Sequence, residues 1–370
     1  MKDGRYAAIV LAAGLSSRME ELKPLLPLGE ETITDRVISI FTANSVKVIL
    51  VTGWRKSELI AGIKHHDITI VENPDYASGM FSSIQAGVKG LSPSQQAFFI
   101  MPVDIPLIRP ATIRRLIDMA PENPNRIIYP VFNGVRGHPP LIPVSLVYEI
   151  LHWNKEGGLK AVLDIQPDMA TEIRVPDGCI LQDIDNREDY SALLERFRKY
   201  DIPTEQERKA ILDIASTGAN VRRHCEKVAS VAVEIARALV ATRTTVDVEI
   251  VHAAAVLHDI GKGNPDHELV GGKILMDAGF TKVGGIIAAH TGFDSNADSS
   301  IEAKIVLLAD KYIRDLEPVT IEERYRTAGI KYASVAGIED KIRRGREHAI
   351  TVKEELTKLL GYSPDKIVFK

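Results

Sequence analysis

The sequence predicts an α/β domain built on a mostly parallel sheet, followed by an all-α domain. Three observations carry this. From Tyr6 to about Tyr190, short runs that are apolar on both faces alternate with segments whose apolar spacing suits one-sided helices. Near residue 200 the charged stretch "ERFRKYDIPTEQER", with one proline, interrupts the alternation. Beyond it the strand-like runs stop and helical periodicity alone remains. The expected boundaries are 1–198 for the α/β domain, 199–206 for a linker, 207–320 for the helical domain and 321–370 for a C-terminal helical extension.

In chain order, the strand candidates are "YAAIVLA", "SVKVILVTG", "DITIVENP", "QAFFIMPVD", "RIIYPVF" and "CILQDID". Between them "TITDRVISIFTAN", "FSSIQAGVKG" and "PATIRRLIDMA" read as amphipathic helices. "VFNGVRGHPPLIP" reads as a turn-rich, hairpin-like excursion. In the second half, "RRHCEKVASVAVEIARALV" places Val228, Val231 or Ala232, Ile235 and Leu239 on one helical face. "VDVEIVHAAAVLHDIGK", "GGKILMDAG", "VGGIIAAHTG" and "EAKIVLLADKYIRDL" continue that pattern. There is no internal repeat or low-complexity segment, and the stretch from about Pro318 on is helical in pattern without a chemical reading.

Composition narrows the function classes. Hydrophobic residues make up 45% and charged residues 26% of 370, the profile of a globular chain. A net charge of -4 gives no electrostatic case for nucleic acid or an anionic membrane as partner. Cys179 and Cys225 stand far apart, which suggests neither a disulfide framework nor a thiolate metal site. "MKDGR" leads straight into a strand-like run, and no apolar run has the length to span a bilayer, so a cytoplasmic location is expected.

Three stretches of the first half carry candidate chemistry. After the first strand, "LAAGLSSRMEELKPLLPLG" opens into small residues followed by Arg18 and Lys23. Gly14 can adopt backbone conformations closed to other residues and lets N–H groups approach phosphate. Arg18 can grip phosphate oxygens with paired hydrogen bonds, and Lys23 acts as a point charge. The loop is neither G-x-G-x-x-G nor a P-loop, and its composition alone fits a plain strand-to-helix turn equally well. In "MPVDIPLI", Asp104 ends an apolar strand, where a carboxylate can hold magnesium between phosphates or simply cap the turn before Pro106. In "DIDNREDY", Asp183 and Asp185 lie two apart on an expected strand and so share a face, attractive to a cation or merely solvent-exposed.

Together these stretches resemble the molybdenum-cofactor cytidylyltransferase and guanylyltransferase family over nearly all of residues 6–195. The shared signature is LAAG-x-S-x-R-M, then K-x-L and a glycine. "NPDYASGMFSSIQAGV", "VDIP", "GHP" and "DIDNRED" follow in family order, with Gly79, Ser83 and Gly87 at matching positions. The resemblance implies a Rossmann-like nucleotidyltransferase. Its nucleotide would be bound by Leu11, Ala12, Ala13, Gly14, Arg18, Lys23, Gly79, Ser83 and Asp104, with magnesium (Mg2+) shared by Asp104 and Asp185. Gly137, His138 and Pro139 would face a molybdopterin-type acceptor, although His138 also reads as an ordinary loop histidine. LAAG is the opening of the cytidine-using branch, so CTP rather than another NTP is implied, the Ala13 methyl narrowing the base pocket. Glu20 departs from the family's usual glycine and places a carboxylate near the expected triphosphate. In the implied reaction an acceptor phosphate attacks the α-phosphorus, Arg18, Lys23 and the Asp104 site neutralise the leaving pyrophosphate, and no protein nucleophile is needed. The same fold type also loads other phosphorylated metabolites, including sugars.

In the second half, "VLHDIGKG" puts His258 and Asp259 at the end of an apolar helix. His224 shares the apolar face with Val228 and Ile235, and Asp310 lies inside "KIVLLADKYI". A buried carboxylate without a partner costs several kcal/mol or takes up a proton. Singly, each residue reads as a core histidine or a capping aspartate; jointly they read as a metal site. The order H…HD…D resembles the HD superfamily of metal-dependent phosphohydrolases from about Arg222 to Leu316. That resemblance implies one divalent transition metal such as Mn2+ or Fe2+ on His224, His258, Asp259 and Asp310, with magnesium and zinc also compatible. His267 and His290 would hold a second metal or a substrate phosphate, or be ordinary loop residues. Lys262 would bind phosphate and act with Asp259 in hydrolysis of a phosphoester or phosphoanhydride. A helical half that senses nucleotide without hydrolysing it, and a purely scaffolding chain, are the rival readings. Editing of the first half's product by the second is the coupling expected of a fusion.

Overall fold

The computed structural model describes residues 4–14, 22–64, 67–165, 167–289, 300–334 and 337–369. The chain divides into two compact units between Tyr200 and Asp201. Among the described residues, no helix is long and apolar enough to cross a membrane.

The first unit is a sheet with helices. Its elements run β1 (Tyr6–Leu11), α1 (Ile33–Thr42), β2 (Lys47–Thr52), α2 (Lys56–Gly62), β3 (Thr69–Glu72), α3 (Met80–Lys89), β4 (Ala97–Pro102) and α4 (Pro110–Met119). There follow β5 (Ile127–Phe132), β6 (Val135–Arg136), β7 (Leu141–Pro143), α5 (Val147–His152), α6 (Gly158–Asp164), β8 (Ala170–Arg174) and α7 (Arg187–Arg198). The sheet order is β8-β5-β7-β4-β1-β2-β3, with β6 paired to β5. Every residue of β1 and β4 is buried, as doubly apolar central strands require. β7 enters antiparallel between β4 and β5, which is the excursion expected from "VFNGVRGHPPLIP".

One topological feature positions the site. From β1 the chain steps outward to β2 and β3, then returns to place β4 on the other side of β1. Leu11 stands opposite Val51 on one side and Pro102 on the other, so the carboxyl ends of these strands lie level. The order reverses between β1 and β4, and ligands of open α/β sheets sit outside such a reversal.

One expected strand is corrected and one strand was not expected. "CILQDID" is no strand: Gly178–Leu181 forms a 3-10 turn, capped by the Asp177 side chain, which accepts from the Cys179 N–H. The N–H of Ile184 then donates to the Asp104 carbonyl instead of joining a ladder. The outer strand is β8, "ATEIR", pairing parallel with β5. Asp183 and Asp185 therefore share no strand face.

The second unit holds α8 (Glu205–Ile214), α9 (Ala219–Ala241), α10 (Val248–Leu257), α11 (His267–Asp277), α12 (Thr281–Ala289) and α13 (Ile301–Tyr312). α14 (Ile321–Lys331), α15 (Ile338–Leu360) and α16 (Asp365–Val368) follow. On α9 the buried stripe is Val228, Ala232, Ile235 and Leu239, and it packs with Val251, Leu257, Ile287 and Leu308 in one core. Ile321, Ala349, Val352 and Leu356 belong to that same core, so the residues from 321 on pack as part of this unit. Among the described residues, the one departure from an all-helical reading is a two-residue antiparallel pair, Ile313–Arg314 with Glu317–Pro318.

Candidate functional site

At the sheet reversal, backbone bonds hold the strand ends in place. Ala12 N–H donates to Val51 O at 2.9 Å, and Val103 N–H donates to Leu11 O at 3.2 Å. Just beyond these bonds the chain presents Gly14 and Asp104. Lys23 opens a 3-10 turn and aims its Nζ at this rim, 3.6 Å from Asp104 Oδ2 and 3.9 Å from Asp185 Oδ1. It also donates to the Ile184 carbonyl. Asp185 is delivered by the start of α7, where Asp189 Oδ2 accepts from the backbone N–H groups of Asp185 and Asn186. The Asn186 side chain in turn caps the Asp189 N–H, closing a capping box. The Ile184–Asp104 backbone bond, 3.0 Å, ties the two carboxylate-bearing loops together.

Lys23, Asp104 and Asp185 thus converge from three separate segments. Burial raises the Asp104 carboxyl above its ordinary range, Lys23 opposes this, and the neighbouring Asp183 and Asp185 add to the rise. An acid so placed is short of positive charge, and a hard divalent cation bound by oxygens is the group that would supply it. Asp104 and Asp185 are the residues that could hold one.

The remaining first-half candidates divide. Leu11, Ala12 and Ala13 are buried at the end of β1. Gly14 lies outside the left-handed region, and among the described residues nothing comes within 4 Å of a Cβ placed there. It is not needed for an unusual conformation; it leaves the backbone exposed. Arg18 and Glu20 lie outside the described residues. Gly79 has φ +98° and precedes α3, so it is a position that favours glycine. Ser83 is buried and accepts from Asn73 Nδ2 at 2.9 Å, while the same amide reaches Ser82 Oγ at 2.8 Å. Ser83 is thereby engaged in anchoring α3 to the end of β3. Gly87 is a packing glycine, since a Cβ there would lie 2.3 Å from Ile9 Cγ2. Two residues went unread. Asn73 organises the network just described, and Gly53 lets Ala13 and Tyr76 close in, its Cβ position lying 2.9 and 2.8 Å from theirs. An apolar strand ending in "VTG" is the only signal for Gly53.

Gly137 closes tightly against Ile180, where a Cβ would meet Cγ1 at 2.6 Å. His138 N–H donates to Ile180 O at 2.9 Å, and a cis peptide joins His138 to the buried Pro139. Among the described residues, His138 Nδ1 is buried with no hydrogen-bond partner. Burial lowers the imidazole below its usual range although Asp183 pulls the other way, so the ring is neutral near pH 7. Asp183 is a neighbouring charge to both His138 and Asp104.

The helical unit gathers a second set. His224 and His258 are buried, as are Asp259 and Asp310. Ligand atoms of His224, His258 and Asp259 all lie within 4.8 Å of one another. Asp310 Oδ1 is 3.2 Å from His224 Nε2 and 3.6 Å from His258 Nε2. Each histidine meets a carbonyl through Nδ1, His224 at Asp315 O (3.0 Å) and His258 at Ala255 O (2.8 Å), which turns Nε2 toward the acids. That arrangement of an oriented imidazole fits a metal ligand, and two nitrogens with two carboxylates suit a divalent transition ion. Burial raises the Asp310 carboxyl, but Lys311, Arg324 and the two histidines outweigh it and hold it well below the usual range. Asp259 is likewise lowered, burial being overcome by His258 and Lys262.

His267 Nε2 stands 3.6 Å from Asp259 Oδ1, and Lys262 donates to Asp259 Oδ2. His290 lies outside the described residues. Arg324 on α14, 3.6 Å from Asp310 Oδ1, went unread because "IEERYRTAGIK" is patterned as an ordinary solvated helix.

Residues 8–171 match the MobA-like NTP transferase domain, and residues 221–315 match the HD domain. The chain is 30% identical over 190 residues to the molybdenum cofactor cytidylyltransferase of Escherichia coli (strain K12), covering 51% of this chain and 95% of that protein. It is 26% identical over 132 residues to the "Probable molybdenum cofactor guanylyltransferase" of Bacillus cereus (strain AH187), covering 35% and 64% respectively. Among solved structures, Rv0371c from Mycobacterium tuberculosis H37Rv aligns at 26% identity over 52% of this chain and 100% of that one, with a TM-score of 0.47. By sequence, then, the chain belongs to the MobA-like NTP transferase family, an enzyme whose transferase domain is followed by an HD domain.

Proposed function

We propose that the first unit transfers CMP from CTP to a molybdopterin-type cofactor with release of pyrophosphate, and that the helical unit is a metal-dependent phosphohydrolase. The observation that carries the first part is the meeting of Lys23, Asp104 and Asp185 beside the sheet reversal, within 3.9 Å of one ammonium. Lys23 there holds negative charge of the triphosphate, and Arg18 is assigned to the same task. Magnesium on Asp104 and Asp185 would supply neutralisation of the leaving pyrophosphate. The open backbone at Gly14 accommodates the phosphates. Neutral His138, with Nδ1 unpaired, faces the acceptor beside Gly137 and Pro139. The cytidylyltransferase relative and the LAAG opening favour CTP over GTP, and the name of that relative supports the acceptor.

In the helical unit, His224, His258, Asp259 and Asp310 would hold an Mn2+- or Fe2+-type ion, which when bound supplies activation of water against a phosphoester or phosphoanhydride. His258 and Lys262 hold the Asp259 carboxyl low, and Lys311 and Arg324 hold that of Asp310 low, so both stay ionised.

The test is pyrophosphate release from CTP by the full chain with magnesium. Release that requires a molybdopterin acceptor, and that is at least tenfold slower with GTP, is the expected result. Release with a sugar phosphate in place of the pterin would overturn the acceptor. For the helical unit, manganese-dependent hydrolysis of p-nitrophenyl phosphate should disappear in Asp259→Ala; full metal occupancy without hydrolysis would make the unit a sensor.

A further inference from the structure

A cavity of about 690 Å³ opens beside the histidine–aspartate cluster, with His224 in its wall. Five cationic side chains line it: Arg223, Lys262, Arg314, Arg324 and Lys331, against the single carboxylate of Asp315. Three of the five are held by acids, Lys262 by Asp259, Arg324 by Asp310 and Arg314 by Glu323. Arg223 and Lys331 make no ion pair among the described residues, and both are exposed. Set against Asp315 and the three acids that pair the others, they leave a small surplus of positive charge, which favours an anion.

The geometry of α14 sets that anion's length. Arg324 and Lys331 are seven residues apart, two helical turns, so both project on one face about 10 Å from each other along the axis. Arg324 marks the metal-site end, 3.6 Å from Asp310, and Lys331 marks the far end. With Arg324 held on Asp310, a single phosphoryl group seated there leaves the Lys331 end of the cavity unfilled. Beyond Lys331, Tyr332 completes the cavity wall with a half-exposed ring, 5.3 Å from the Lys331 ammonium, and offers a face on which a base can stack. All of α14 lies after residue 315, where the match to the HD domain ends.

We infer that α14 is a substrate-recognition helix that adapts the HD site to a nucleotide bearing at least two phosphoryl groups. Arg324 holds the phosphoryl group nearest His224 and Asp310, Lys331 and Arg223 hold a second one, and Tyr332 carries the base. The inference rests on the phosphohydrolase reading for its chemistry but not for its binding.

The experiment is hydrogen exchange on the full chain without added metal, titrated with α,β-methylene-CTP and, separately, with inorganic phosphate. The nucleotide analogue should slow exchange across residues 314–331, and inorganic phosphate at equal concentration should not. Lys331→Gln and Arg223→Gln, exposed positions whose variants should keep the parent melting temperature, should each raise the midpoint of that protection at least tenfold. Protection confined to the first unit, equal protection by inorganic phosphate, or unchanged midpoints in both variants would overturn the inference. Manganese-dependent hydrolysis of p-nitrophenyl phosphate separates the two readings. Its absence with protection intact fails the hydrolase alone, and its presence without protection of 314–331 fails the recognition helix alone.

Discussion

Asp104 shows at the scale of one residue how a site trades stability for charge. Its carboxyl is raised by burial and by Asp183 and Asp185 more than Lys23 lowers it. A carboxyl whose folded value lies above its unfolded value stabilises the fold at low pH. That contribution is lost as pH rises through the folded value, so at pH 7 the ionised Asp104 is a net cost. Asp104→Asn should therefore melt no lower than the parent at pH 7, while nucleotidyl transfer falls at least about 100-fold, the scale of losing one preorganised charge contact. Magnesium should raise the parent's melting temperature and leave that of Asp104→Asn unmoved; calorimetry with and without the ion checks both. Asp310 is the opposite case. It is lowered by cations that depend on it, so Asp310→Asn leaves Lys311 and Arg324 facing no charge and should destabilise the helical unit by about 3–5 kcal/mol in denaturant titration. These acids were legible in the sequence because a carboxylate inside or at the end of an apolar run has few structural uses. Asn73 and Arg324 were not. A neutral amide and an arginine on a polar helix become chemical only when folding brings partners to them.

Among the elements, what was legible was periodicity, and what was not was pairing. Central strands such as β1 and β4 announce themselves because both faces are covered. "CILQDID" opens with a short apolar run like theirs but spends its backbone groups on Asp177 and Asp104, which no local pattern encodes. β8 escaped because an outer strand with one buried residue looks like loop. Gly87 shows the same limit on α3. It matches a family motif position, yet its environment is the sheet beneath it, with Ile9 and Val51 occupying the space of a side chain. Gly87→Ala should cost about 1–3 kcal/mol by overpacking, because the nearest atom is a branched methyl fixed on a central strand. Equilibrium unfolding of the first unit checks this, and restoration of stability by a compensating Ile9→Val would identify the contact.

For the whole molecule, the informative place is where the first unit ends. Composition alone put the boundary at residue 198, since the charged run looks uniform from there to 206. The fold carries it to Tyr200, for a reason lodged in one buried side chain. Arg109 is fully buried after β4, and its guanidinium lies 4.4 Å from the centroid of the Tyr200 ring and donates to the Tyr200 carbonyl at 2.7 Å. Asp177 accepts from the Arg109 backbone at 2.8 Å and from Thr112 at 2.7 Å, and Tyr200 OH donates to Ile108 O at 3.2 Å. Arg36 covers the same ring at 4.9 Å. Chain 1–198 would strip Arg109 of a charge-assisted acceptor, worth about 1.5–3 kcal/mol, and of a cation–π partner, worth about 0.5–2 kcal/mol. Chain 1–200 keeps both. The expected outcome is that 1–200 unfolds cooperatively with pyrophosphate release from CTP intact, while 1–198 unfolds about 2–5 kcal/mol more easily, the sum of those two losses. Equal midpoints for the two chains would mean that Tyr200 is not part of the transferase fold and that the boundary lies where composition placed it. If 1–200 is stable and transfers nucleotide at the rate of the full chain, the expected editing of its product by the HD domain is not a condition of the transfer step itself.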